Sequence, residues 1–222
     1  MGTKISEIYN NYRVPLDLQS HMLRASAIAI VLCENWKGPP INQSDITTTM
    51  LIHDIGNIAK MDFNSGQFPP SSEREINTWR NIKRKFINKY GADDHIATFN
   101  IATELGLNPR ILWLVTNKIF IHNEMIAKSD DYELKICAYA DQRTGPSGIV
   151  SLNNRFDELK SRYGSKANAS INHPRIRYLI KSAFIIEKQL LEFVSIEELE
   201  IANQKISHIM DDLRKYEIQT GG

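Results

Sequence analysis

The sequence predicts an all-α protein, a compact helical bundle with a helical extension at its C-terminal end. Apolar residues recur at three-and-four spacing along most of the chain, whereas alternation with a period of two is scarce. Capping residues, glycines and prolines divide the chain into helix-length segments. The 222 residues are enough for one domain with a large buried core. We therefore expect residues 1–170 to form the main domain and the helices of 171–222 to pack on it.

The N-terminal half of the chain is predicted to contain four helices, over residues 16–36, 44–55, 73–90 and 93–106. A Gly-Pro-Pro run at 38–40 ends the first, because these residues cannot continue a helical hydrogen-bond ladder. Ser44 or Asp45 is the expected N-cap of the second helix, and Gly56 its stop. Residues 61–72 contain Asn-Ser-Gly and Phe-Pro-Pro and are predicted to form a loop.

The C-terminal half predicts four further helices, over residues 109–121, 130–143, 173–193 and 195–216. The Asn-Pro pair at 108–109 has the order expected of an N-cap followed by a first-turn proline. Asp130 and Glu133 have the spacing of a capping box, and so do Ser195 and Glu198. The last two helices are amphipathic, which leaves homo-oligomerisation and packing on their own domain as alternatives.

Composition excludes several classes of protein. With 27 basic and 26 acidic side chains the net charge is +1, too balanced for binding an extended nucleic acid by bulk charge. No apolar run approaches 18 residues and no signal segment follows the first residues, so we expect a cytoplasmic protein without a membrane partner. Cys33 and Cys137 belong to no C-x-x-C pair and are expected to be reduced core thiols.

Four polar residues interrupt apolar helical stretches: His21, the adjacent pair His53-Asp54, and Asp141. Each residue alone is typical of a core histidine or a capping aspartate. Burial of an unpaired carboxylate costs free energy, however, and a divalent cation could bind all four side chains. Two imidazoles and two carboxylates suit manganese, iron, cobalt, nickel or zinc, with magnesium as a further candidate. Adjacent residues of a helix point about 100° apart, so His53 and Asp54 can share a metal only beside the helix end.

The order of these residues resembles the HD-domain superfamily of metal-dependent phosphohydrolases. The resemblance rests on His21, on His53-Asp54-Ile55-Gly56, on Asp141 within Tyr-Ala-Asp-Gln-Arg, and on the stretch 151–156, and it covers residues 16 to about 160. It implies an all-helical HD domain over 1–170. It also implies that His21, His53, Asp54 and Asp141 are the metal ligands.

The chain departs from the family pattern at the second-metal positions. His95 lies in a segment similar to the one that supplies a further family histidine, but Asn117 stands where the next would fall. His122, about one turn beyond, is a possible substitute. We therefore favour one metal, with His95 and His122 as the candidate ligands of a second.

A second departure is Asn57, which stands where a lysine often follows the family's His-Asp-x-Gly motif. Lys60, one turn on, and Arg143, two residues beyond the last aspartate, are then the candidates for contacting a phosphate. Asp54 is expected to ligate and also to orient the attacking water, as the resemblance implies. We assign catalytic roles to these three residues.

The resemblance implies an enzyme that hydrolyses the phosphate ester of a small substrate, with a nucleotide favoured. A bound divalent metal would lower the pKa of water from about 15.7 toward 7 and polarise the phosphoryl group. The loop at 61–72 is expected to act as a lid. The alternative is a catalytically silent HD module that binds metal and nucleotide for sensing or scaffolding, motivated by Asn57 and Asn117.

Overall fold

The computed structural model describes residues 2–63, 73–145, 148–163, 173–194 and 203–221. Within them the fold is all-α, as predicted. The helices are α1 (Ile5–Asn11), α2 (Leu16–Glu34), α3 (Gln43–Ile52), α4 (Glu73–Tyr90), α5 (Asp94–Glu104), α6 (Pro109–Asn117), α7 (Asn123–Lys128), α8 (Tyr132–Gln142), α9 (Leu152–Tyr163), α10 (Pro174–Leu191) and α11 (Asn203–Leu213). Two short 3₁₀ helices, Ile55–Ala59 and Phe120–His122, complete the helical part.

Two small antiparallel sheets accompany the helices. Strand β1 (Gly2–Lys4) pairs with β4 (Glu217–Gln219), and β2 (Thr144–Gly145) pairs with β3 (Gly148–Ile149). The first sheet joins the two ends of the described chain. Neither sheet was predicted, because strands of two or three residues are too short to show alternation, and β1 also needs a partner from the other end of the chain.

The capping predictions are partly corrected. The N-cap of α3 is Asn42, whose side chain accepts a hydrogen bond from the backbone N–H of Asp45, so the expected Ser44 or Asp45 cap is wrong. Asp45 instead lies in the first turn and accepts a hydrogen bond from Asn108. The cap of α8 is Asp131 rather than Asp130, because the Asp131 carboxylate accepts the N–H of Leu134. The second proposed capping box, at 195–198, lies outside the described residues.

The predicted helix over 109–121 is wrong over its last four residues. Helix α6 ends at Asn117, and the chain then turns through the second 3₁₀ helix into α7. The backbone of Ile119 is extended, with φ −70° and ψ 148°, which breaks the ladder where apolar residues continue. The break places Lys118 at the C-cap of α6, and its position matters for the site described below.

The centre of the core is formed by α2, α3 and α8, which pack on one another. Apolar residues of these helices, among them Met22, Ile28, Leu51 and Ile136, are fully buried. Helix α6 packs against α3, and α5 packs against the first 3₁₀ helix. The three central helices therefore carry or flank all four predicted metal ligands. Cys33 and Cys137 are both free thiols.

Helix α2 is the one described helix that is long and apolar enough to span a membrane. Its mean hydropathy over the span is 1.2, and 61% of that span is buried inside the protein. Ala25, Ala27 and Ile28 are fully buried, and the same helix carries His21. This is the pattern of a core helix, in which apolar length is used for packing within the protein.

The C-terminal helices pack on the rest of the protein. Helix α10 lies against α7 and α8 and buries Ala183, Ile186 and Leu190. Helix α11 lies against α2, and the chain then enters β4. The division of the chain at residue 170 remains a prediction, since it falls between the described segments.

Two glycines are required for different reasons. A Cβ atom on Gly56 would lie 2.1 Å from the backbone oxygen of Asp94 and 2.6 Å from the backbone nitrogen of Thr98. The close approach lets the first 3₁₀ helix pack on α5, and the Gly56 N–H donates to the Thr98 hydroxyl at 3.0 Å. Gly91 instead has φ +103°, the left-handed conformation that ends α4, and a Cβ there would make only an ordinary contact with Ile96 at 3.8 Å.

We expect Gly56→Ala to destabilise the protein by about 2 kcal/mol, because backbone atoms must move to make room. Gly91→Ala should cost only about 1 kcal/mol, through its backbone conformation alone. Chemical denaturation measures both values. Equal losses in the two variants, or a larger loss for Gly91→Ala, would contradict the assigned reasons. Only the Gly56 variant should also weaken metal binding, because it displaces the segment that follows Asp54.

Candidate metal centre

The four predicted ligands meet at one point, where α2, the end of α3 and the end of α8 converge. Their ligand atoms all lie within 4.8 Å of one another. The Nε2 atom of His21 is 3.2 Å from Nε2 of His53, 3.4 Å from Oδ2 of Asp54 and 3.3 Å from Oδ1 of Asp141. The Nε2 atom of His53 is 3.2 Å from the same Asp141 oxygen. The cluster can therefore bind a metal.

The early end of α3 explains how two adjacent residues face one point. The helix ends at Ile52, and His53 still has helical φ and ψ angles of −57° and −24°. Asp54 turns away from the helix, with φ −121° and ψ 13°, before the first 3₁₀ helix begins. This change of direction replaces the 100° separation that a continued helix would impose.

His53 is fixed by a backbone hydrogen bond. Its Nδ1 atom lies 2.8 Å from the carbonyl oxygen of Met50, which can only accept, so Nδ1 carries a proton. The neutral ring then presents the lone pair of Nε2 to the cluster, as a metal-ligating histidine must. The side chain is fully buried, and the orientation of the ring is therefore set by the fold.

The spacing of the donor atoms fits a single transition-metal ion. Donors that each lie about 2.1 Å from a cation are about 3.0 Å apart at right angles and about 3.4 Å apart in a tetrahedron. The four shortest donor separations, 3.2 to 3.4 Å, fall in this range. Two imidazole nitrogens and two carboxylate oxygens are also a donor set for manganese, iron, cobalt, nickel or zinc.

The carboxylates are held ionised in the metal-free protein. Burial acts to raise the pKa of Asp54, but the neighbouring His53 and Lys118 prevail and hold it below its usual range. Burial has the same effect on Asp141, where Lys118 and His53 again prevail and place the pKa well below normal. Burial opposes protonation of His21, yet its hydrogen bonds to Asp141 and Asp54 raise its pKa to about 9. In the absence of metal, a proton on His21 thus supplies one positive charge.

Lys118 is a site residue that the sequence analysis missed. Its side chain is 3% exposed, and its Nζ atom lies 2.7 Å from Oδ2 of Asp141 and 3.6 Å from Oδ1 of Asp54. Burial lowers its pKa, but the two carboxylates outweigh burial and raise it, so the ammonium stays charged. A lysine after a helical segment ordinarily predicts an exposed side chain. The one signal in the sequence was that Lys118 follows Asn117, the position at which the HD-domain pattern predicts a histidine.

Asn57, which replaces a family lysine, also contacts the centre. Its side-chain nitrogen donates a 2.7 Å hydrogen bond to Oδ2 of Asp54. The carboxylate of Asp54 is therefore fixed on one side by Asn57, while Oδ1 faces Lys118. Asn57, which departs from the HD-domain pattern in the sequence, therefore orients the carboxylate of Asp54.

The predicted phosphate-contacting residues have other partners. Lys60 is paired with Asp94, Nζ to Oδ2 at 2.5 Å, and its side chain is half exposed. Arg143 is buried; it donates to the carbonyl oxygen of Val150 at 2.6 Å and to the hydroxyl of Tyr139. Arg143 thus ties the end of α8 to the residue after β3. Catalytic roles for Lys60 and Arg143 stay predictions.

The two candidate ligands of a second metal lie outside the cluster. His95 is exposed in the first turn of α5. His122 lies at the end of the second 3₁₀ helix, with Nδ1 3.2 Å from the carbonyl oxygen of Asn117. Among the described residues, the group of histidines and carboxylates that can hold a metal contains neither of them.

Comparison of the chain with family models, with curated proteins and with solved structures finds no match. The helical fold and the His/Asp cluster are compatible with an HD domain. The assignment of function therefore depends on the chemistry of the centre itself.

Metal binding should release about one proton per ion between pH 6.5 and 9, because the metal needs the neutral form of His21. The apparent affinity then rises about tenfold per pH unit up to pH 9. The stability of the metal-free protein has the opposite pH dependence. Protonated His21 stabilises the fold fully below pH 6.5, and this contribution is lost as the pH rises through about 9.

Titration calorimetry in buffers of different ionisation enthalpy counts the released protons. The matched control is His95→Gln, an exposed histidine outside the cluster, which should behave like the natural protein. His21→Gln should bind metal more weakly and release no proton. Unchanged proton release in His21→Gln would show that the titrating group lies elsewhere.

Proposed function

We propose that this protein is a metal-dependent phosphohydrolase that acts on a small phosphorylated substrate, with a nucleotide favoured. The observation that carries the proposal is a preassembled two-histidine, two-aspartate centre that remains open on one side. The side chains of His21, Asp54 and Asp141 are 20–25% exposed, whereas His53 is fully buried behind them. A substrate can therefore reach the ligands from solvent while their support remains rigid.

Each residue of the centre has a distinct task in this proposal. A divalent cation supplies Lewis acidity when bound, which acidifies water and polarises a phosphoryl oxygen. Asp54 and Asp141 hold negative charge at neutral pH, and His53 is locked in one tautomer by Met50. Asp54 orients the water that attacks phosphorus, since Asn57 fixes its carboxylate in place. Such positioning of a nucleophile avoids loss of entropy in the transition state.

A basic cleft formed by the chain after the first 3₁₀ helix and by α4 supports an anionic substrate. It has a volume of about 330 Å³ and begins at Met61, two residues after the first 3₁₀ helix. Three cations of α4, Arg80, Lys83 and Arg84, line it against one carboxylate, Asp62. The chain as a whole has a net charge of only +1, so this local excess favours a phosphorylated ligand.

The walls of this cleft are fixed by two further contacts. Lys83 donates to the carbonyl oxygen of Met61 at 2.8 Å, which holds the chain after the 3₁₀ helix against α4. Phe63 stacks on Trp79, with ring centroids 5.3 Å apart and an angle of 17° between planes. The rest of the expected lid, residues 64–72, lies outside the described residues. The preference for a nucleotide over a simple phosphate ester comes from the resemblance to the HD-domain superfamily, with which the basic lining of the cleft agrees.

One observation favours the second candidate, a silent module that binds metal and nucleotide. The amide of Asn57 occupies one lone pair of Asp54 Oδ2, an oxygen that also faces His21 at 3.4 Å. If that oxygen has no capacity left for water, the centre binds a phosphate without hydrolysing it. The two candidates differ in turnover and share the metal centre.

The full chain, loaded separately with manganese, cobalt, nickel, iron or zinc, should release phosphate from at least one member of a nucleotide panel. His53→Ala and Asp141→Ala should lose metal and activity together, because each removes a ligand. Phosphate release and elemental analysis measure the two effects. Retained nucleotide binding with no phosphate release at full metal occupancy would favour the silent module, and full metal occupancy in His53→Ala would refute the ligand assignment.

Arg84→Ala should raise KM about fivefold and leave kcat and the metal content unchanged, because an exposed cation contributes roughly 1 kcal/mol to binding the anion. The matched control is Lys85→Ala, an exposed cation on the same helix that lines a different cleft. Steady-state kinetics on the best substrate of the panel separates the two variants. Equal KM values for Arg84→Ala and Lys85→Ala would show that the basic cleft does not hold the substrate.

A further inference from the structure

We propose that the ammonium group of Lys118 is a permanent second cation of the centre, which fixes the site at one metal ion per chain. The inference rests on the proposed function in one respect only, namely that the four-residue cluster holds a metal. It assigns Lys118 a positioning and charge-balancing task rather than contact with the substrate.

The division of the carboxylate oxygens carries the inference. Asp141 directs Oδ1 to the two imidazoles, at 3.2 and 3.3 Å, and Oδ2 to Lys118 at 2.7 Å. Asp54 directs Oδ2 to His21 at 3.4 Å, while its Oδ1 lies 3.6 Å from the same ammonium and 3.7 Å from Nε2 of His53. Asp141 thus bridges two positions, one bordered by histidines and the other filled by Lys118, and Asp54 borders both. Bridging carboxylates are how two neighbouring cations share ligands.

The charge of the centre agrees with one divalent ion. Two carboxylates and one ammonium, with both imidazoles neutral, give a charge of −1, so one divalent ion brings the centre to +1. A second divalent ion would give +3 in a pocket that is mostly shielded from water, where like charges repel strongly. The ammonium therefore supplies the charge of a second cation and takes up its space.

Among the described residues, no histidine other than His21 and His53 belongs to the cluster that the ammonium contacts. Asn117, the residue before Lys118, hydrogen-bonds through its side chain to the carbonyl oxygen of Trp113 on its own helix. In the described part of the chain, His95 and His122 are both outside the cluster. Lys118 itself is held by the end of α6, where its N–H donates to the carbonyl oxygen of Leu114 at 3.0 Å.

The test is the effect of Lys118→Met on metal affinity, with Mn²⁺ as the probe and the full chain in each case. Removing a positive charge next to the metal should strengthen Mn²⁺ binding at least tenfold, whereas loss of a group that only positions ligands should weaken it. Titration calorimetry, with a chelator as competitor, measures the affinity. Elemental analysis of the natural protein should give one ion per chain.

Two further variants show whether the change in Mn²⁺ affinity depends on the charge of Lys118. Lys118→Arg keeps the positive charge and should therefore show no tenfold gain in affinity. Lys128→Met, which removes an exposed lysine paired with Glu124, should leave the affinity unchanged. If Lys118→Met does not fold without metal, it is prepared with Mn²⁺ and compared by chelator competition with natural protein prepared in the same way.

Weaker binding in Lys118→Met, or two ions per chain in the natural protein, would overturn the inference. A tenfold gain in Lys118→Arg as well would also overturn it, because the effect would not follow charge. Since no substrate is needed, the test is independent of turnover. A protein that shows the expected affinities but hydrolyses nothing would refute the proposed reaction and leave the role of Lys118 supported.

Discussion

The structure depends on neutralising two carboxylates that the fold brings together in a mostly buried pocket. Asp54 and Asp141 come from separate helices, and their approach is unfavourable unless positive charge lies between them. Lys118 supplies that charge from a third helix, at 2.7 Å from one carboxylate and 3.6 Å from the other. The protonated His21 supplies more in the absence of metal. Charge pairing as well as apolar packing therefore holds the ends of α3, α6 and α8 together.

A centre that is neutralised from within can be assembled before any metal arrives. His53 is held by Met50, Asp54 by Asn57, and Asp141 by Lys118, so each ligand has a partner outside the metal position. Partners of this kind keep ligands in place, and the neutral ones raise affinity because little order is lost on binding, whereas the charge of Lys118 acts against the bound cation. Asn57, which departs from the HD-domain pattern, and Lys118, which follows the second departure at Asn117, both belong to this support.

The sequence was sufficient for the fold class and for most of the long helices. The predicted starts of α2 and α4 are the observed ones, because both helices carry apolar residues at three-and-four spacing. The short elements were missed, and the end of α6 was placed four residues late. A strand of three residues and a break at Ile119 are decided by contacts with distant residues, to which a local pattern is blind.

The sequence by itself also indicated the four residues of the cluster, since polar residues on apolar helical faces need a common partner. The place of Lys118 in the centre was decided only by the tertiary structure. Lys118 is separated from Asp54 by 64 positions and follows a helix end, where an exposed lysine is the ordinary expectation. Its burial results from the turn after α6, which directs the side chain inward. Local pattern determines which groups are unusual, whereas charge pairing is decided by which groups the fold brings within a few ångströms.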